Sequence, residues 1–104
     1  MNPNEIIPRR SKGKVLIVDD EELNLQLIEA YLNEEYEIIT AQSGTEALNK
    51  IIRDKPDIVL LDIMMPQISG FEVCKSIKEN DATRFIPVVM CTSLSGSEAK
   101  VKAI

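Results

Sequence analysis

Histidine is absent from this sequence. That removes histidine general-base catalysis, serine–histidine hydrolysis and most zinc sites. Cysteine is nearly absent too. Cys74 and Cys91 stand alone with no C-x-x-C spacing, so neither a disulfide framework nor a zinc ribbon is expected, and both read as reduced thiols, Cys91 as a core residue. No apolar run is long enough to span a bilayer, and Met1 to Lys14 has no signal-type apolar stretch. The expectation is a soluble, cytoplasmic protein without membrane association. Any chemistry must be carried by carboxylates, hydroxyls, lysines or a hard metal ion.

What is present fits one small domain: 104 residues, 44% of them hydrophobic. The net charge of −5 is uneven. Arg9, Arg10, Lys12 and Lys14 against Glu5 give the first fourteen residues +3 and leave −8 for the rest. An acidic body argues against direct nucleic-acid binding. Residues 1–13 read as a flexible, basic lead-in and residues 14–104 as the domain. Ser11-Lys12-Gly13-Lys14 lacks the spacing of a phosphate-binding loop.

Two kinds of segment alternate along the domain. Val15–Val18, Ile58–Leu61 and Ile86–Cys91 are short apolar runs of the sort buried on both faces of a parallel sheet. Tyr36–Ala41 is more mixed and suits an edge strand. Between them, Glu22–Asn33 carries a wide apolar arc (Leu23, Leu25, Leu27, Ile28, Tyr31, Leu32). Thr45–Arg53 and Gly70–Asn80 each follow a capping pattern, Ser43 to Glu46 and Ser69 to Glu72. A last helix is expected to begin near Ser95-Gly96-Ser97-Glu98. The order βαβαβαβα predicts an α/β fold, a doubly wound parallel sheet with helices on both faces and its ligand site at the carboxyl ends of the strands.

At those ends stand Asp19 and Asp20 after the first run, Asp62 after the third, and Thr92 and Ser93 after the fourth. Three converging carboxylates repel one another, and a hard divalent cation relieves this. Magnesium takes a few carboxylates, keeps waters and completes its shell with phosphate oxygens. Met64-Met65 reads as loop packing rather than a soft-metal site.

The runs Val15-Leu16-Ile17-Val18-Asp19-Asp20, Asp57–Pro66, Gly70–Cys74 and Ile86–Ser93 resemble the receiver domains of two-component response regulators, from Lys14 to the last residue. The resemblance implies a flavodoxin-like (CheY-like) three-layer α/β/α fold. It implies that Asp62 accepts a phosphoryl group from a sensor histidine kinase or phosphotransfer protein, in a signalling domain that catalyses only its own phosphorylation and dephosphorylation. It also implies that Asp20 and Asp62 ligate Mg2+ directly, that Asp19 acts through a water or hydrogen bond, and that the backbone carbonyl of Met64 supplies a further oxygen. Thr92 is the switch hydroxyl. Two departures stand out. Ser69 replaces the family's usual Asp and still caps its helix. The family's fifth strand, its terminal lysine and its fifth helix have no counterpart before Ile104, so the fold reads as truncated after the fourth β/α unit. From that follow two expectations: a weakened phosphoacceptor, and a homodimer formed through an exposed fourth strand or first helix. The alternative is an inactive receiver serving only in dimerisation or docking. A magnesium-dependent phosphatase with an aspartyl intermediate is disfavoured, because Met64 stands where its second acid would be.

Overall fold

The computed structural model describes residues 12–63, 65, 69–91 and 101–103. Its elements are β1 (Gly13–Val18), α1 (Glu22–Leu32), β2 (Tyr36–Ala41), α2 (Gly44–Asp54), β3 (Ile58–Asp62), α3 (Gly70–Glu79), β4 (Val88–Cys91) and β5 (Val101–Ala103). They form one sheet in the order β2-β1-β3-β4-β5, with the first four strands parallel.

Alternation along β1 divides the core in two. Leu16 and Val18 point to one side, where they pack with Ala47 and Ile51 of α2 and Val73 and Ile77 of α3. Val15 and Ile17 point to the other, against Leu25 of α1. The result is the three-layer α/β/α arrangement that the apolar runs and helical arcs predict.

The helix starts follow the capping patterns. Ser43 Oγ accepts a hydrogen bond from the Glu46 amide at 3.1 Å, and Ser69 Oγ from the Glu72 amide at 3.3 Å. The return bond of the first box goes one residue further out: the Gln42 amide donates to Glu46 Oε1 at 3.2 Å. α2 ends with Lys55 in the left-handed region (φ 50°) immediately before Pro56. β4 begins at Val88 rather than Ile86. The Ile86 amide donates to the Thr83 carbonyl, and Pro87 has no amide to give.

Two expectations need correction at the sheet edge. β4 does not form the edge. Residues Val101–Ala103 are extended and pair antiparallel with it, Met90 opposite Lys102. The unpaired amides and carbonyls of β4 offer a template that a short strand satisfies at once, and this overrides the helix expected at the end of the chain. The helix start expected near Ser95 lies outside the described residues. On α1 the wide arc is only half used. Leu25 is buried and Ile28 and Leu32 pack beside it, whereas Leu23, Leu27 and Tyr31 are 64%, 53% and 87% exposed. Among the described residues no helix is long and apolar enough to cross a membrane.

Candidate functional site: an acid cluster at the strand ends

Sheet register builds this site. Val18 pairs with Leu61 in the parallel β1–β3 ladder, so the next residues, Asp19 and Asp62, emerge side by side at the carboxyl edge. Asp20 follows on the turn into α1. One carboxylate oxygen from each of Asp19, Asp20 and Asp62 lies within 4.8 Å of the others. Asp19 is 0% and Asp62 6% exposed, whereas Asp20 is open to solvent.

Asp19 is fixed from three directions. Its amide donates to the Ala41 carbonyl at 3.0 Å, which ties it to the end of β2. Its Oδ1 accepts from the Glu21 amide at 2.9 Å, and its Oδ2 from Nδ2 of Asn24 at 3.1 Å. Burial pushes the Asp19 carboxyl above its ordinary pKa. The Glu21 and Asn24 donors partly oppose this, and the charge of Asp20 adds to it. A carboxylate kept in a dry, like-charged position is under electrostatic load, and a bound cation would remove that load. The hard oxygen donors, their spacing and the single solvent-facing acid fit magnesium, which binds few protein carboxylates and retains waters.

Asp62 is held from behind by the start of α3. The Ile63 amide donates to the Cys91 carbonyl at 2.9 Å, and the Gly70 amide donates to the Ile63 carbonyl at 3.1 Å. Helix and strand end approach so closely that a Cβ on Gly70 would lie 2.5 Å from the Asp62 carbonyl oxygen and 2.7 Å from the Ile63 Cα. Only glycine fits without moving one backbone against the other. Met65 is buried in the core beside this turn, in keeping with a packing role.

Cys91 lies opposite Asp62 across the β3–β4 pairing and is buried. Burial, and then the charges of Asp62 and Asp19, push its thiol up, so it is a core residue rather than a nucleophile. Cys74 is buried in the core beneath α2 and α3, and its thiol is likewise raised by burial. Of the predicted site residues the fold thus brings together Asp19, Asp20 and Asp62. Met64 and Thr92 lie outside the described residues. Asn24 carried no expected role, and Gly70 was expected only as the start of its helix. Asn24 stands four residues before Ile28, on the buried side of the α1 arc, and a polar residue there was the available signal.

Comparison with known proteins agrees with this geometry. The model of the response regulator receiver domain family matches residues 15–104. The response regulator PleD of Caulobacter vibrioides is 47% identical over 93 residues, covering 88% of this chain and 20% of that protein. The polar-differentiation response regulator DivK of Brucella ovis is 38% identical over 91 residues, 85% of this chain and 74% of that protein. The chain therefore spans about a fifth of the length of PleD and about three quarters of that of DivK. Among solved structures, the N-terminal domain of a response regulator receiver protein from Methanoculleus marisnigri superposes with a TM-score of 0.75 at 42% identity, covering 77% of this chain and 66% of that one. A chemotaxis response regulator of Vibrio cholerae gives 0.73 at 34% identity, covering 77% and 68%. The chain belongs to the response regulator receiver domain family and is a signalling domain of two-component regulation.

Proposed function

We propose that Asp62 is the phosphoacceptor and that Asp19, Asp20 and Asp62 bind Mg2+ to make that transfer possible. The observation that carries the reading is the convergence of three carboxylates, two of them buried, at the edge where a parallel α/β sheet holds its ligands. An Asp62 oxygen attacks the phosphorus of a phosphohistidine on a sensor kinase or phosphotransfer protein. The new O–P bond forms as the N–P bond breaks, and the bonding pair returns to the imidazole. Asp20 and Asp62 are the direct ligands of the cation. Asp19, with both oxygens already accepting protein hydrogen bonds, acts through water. When bound, the cation offsets negative charge on the phosphoryl oxygens. Met64 would lend its carbonyl as a further ligand, and Thr92, next in sequence after the last residue of β4, would turn its hydroxyl toward the new phosphate.

A second reading, a docking or dimerisation module, draws on the exposed Leu23, Leu27 and Tyr31 of α1. Metal binding separates the two. Titration with MgCl2, followed by amide NMR shifts at Glu21 and Ile63, is expected to give saturable binding that Asp20→Asn weakens. Absence of binding would leave the docking reading alone.

A further inference from the structure

Asn24 donates a hydrogen bond into the acid cluster from a position where a helix would ordinarily bury an apolar residue. It is 5% exposed, in the first turn of α1, beside the buried Leu25. Its amide hydrogens point at Oδ2 of Asp19, at 3.1 Å. An ionised carboxylate only accepts, so this contact fixes which end of the Asn24 amide faces the site. The Glu21 amide takes the other oxygen. Both Asp19 oxygens are therefore clamped, one by backbone and one by Asn24, while the Asp19 amide is anchored on β2. Without Asn24, Oδ2 would lose this donor, the Glu21 amide would hold Oδ1 alone, and the carboxylate could swing about its χ angles.

We propose that Asn24 is a positioning residue of the acid cluster: by holding Asp19 rigid it keeps the site small and makes it prefer Mg2+ over the larger Ca2+. This rests on the reading of the cluster as a magnesium site. The chemistry is general. Magnesium demands near-ideal octahedral geometry at short distances, whereas calcium accepts looser, larger and more variable shells, so the rigidity of the ligands decides between them. Asp19 would hold a water of the cation's shell, so fixing Asp19 would fix that water; hydrogen-bonding partners behind the direct ligands typically contribute 10–100-fold to metal affinity.

The test compares wild type, Asn24→Ala and the nearly isosteric Asn24→Leu, titrated separately with MgCl2 and CaCl2 and followed by amide NMR at Glu21 and Ile63. Thermal unfolding is measured without metal alongside. In the folded variants Mg2+ affinity is expected to fall by about tenfold or more and Ca2+ affinity by less, so that the Mg2+/Ca2+ ratio drops. Equal losses for both ions, or unchanged affinities, would overturn the proposal and leave Asn24 a mere clip between α1 and β1. Loss of the fold in both variants would also count against it, because a positioning residue is dispensable to folding. Failure of the wild type to bind Mg2+ at all is a different result: it removes the magnesium site itself, and this inference with it.

Discussion

Gly70 lies directly over the carbonyl of Asp62: a methyl group on its Cα would reach within 2.5 Å of that oxygen. The acid that receives the phosphoryl group in the proposed reaction is therefore backed by the first residue of α3. Gly70→Ala must move either the helix start or the end of β3. Overpacking of this kind costs about 1–3 kcal/mol. Urea unfolding should show a lower midpoint with an unchanged slope, and Mg2+ binding by the folded variant should weaken because Asp62 shifts. An alanine variant with wild-type stability and metal affinity would show that the strand end is not held this way.

A second prediction concerns pH. Lys50 forms an ion pair with Glu46 at 2.8 Å and also donates to the Thr40 carbonyl at the end of β2. The Lys50 contact first, and then the Gln42 amide, lower the Glu46 carboxyl from its ordinary value of 4.5. A lowered carboxyl pKa stabilises the fold above the unfolded value, and that stability is lost as pH falls through the folded value. The pair is partly exposed, which limits it to about 0.3–0.5 kcal/mol. Glu46→Gln should thus lose this small increment at neutral pH in denaturant titrations and become equal to wild type at acid pH. A difference that persists unchanged in acid would contradict the assignment.

The α1 surface gives a third prediction. Leu23, Leu27 and Tyr31 recur four residues apart on the solvent side, and burying one such side chain is worth about 1.5–3 kcal/mol. Because β5 covers β4, association of two copies should depend on α1 and not on the sheet edge. Sedimentation at micromolar concentration should detect a dimer that Leu27→Glu dissolves. A wild-type monomer would refute it.

Much of this was legible in the sequence because burial on both faces leaves a plain signature. Val15–Val18 and Ile58–Leu61 read as inner parallel strands, and that placed the acids after them at one edge. Asn24 and Gly70 were not legible in the same way. The contact of Asn24 depends on how α1 rotates over β1, and the closeness of Gly70 to Asp62 depends on how far α3 slides toward β3. Propensity specifies neither. The strand at Val101–Ala103 was missed for a related reason. Three residues carry no period, and their extended form is imposed by the open edge of Val88–Cys91.

The central claim is that Asp62 receives phosphate, and one measurement addresses it directly. The protein is incubated to saturation with acetyl phosphate and MgCl2, the acyl phosphate is trapped by borohydride reduction, and the modified residue is located by peptide mass spectrometry. The account predicts modification at position 62 alone, dependent on Mg2+ and abolished by Asp62→Asn. Modification elsewhere, or modification that persists in Asp62→Asn, or none at saturating donor, would contradict it.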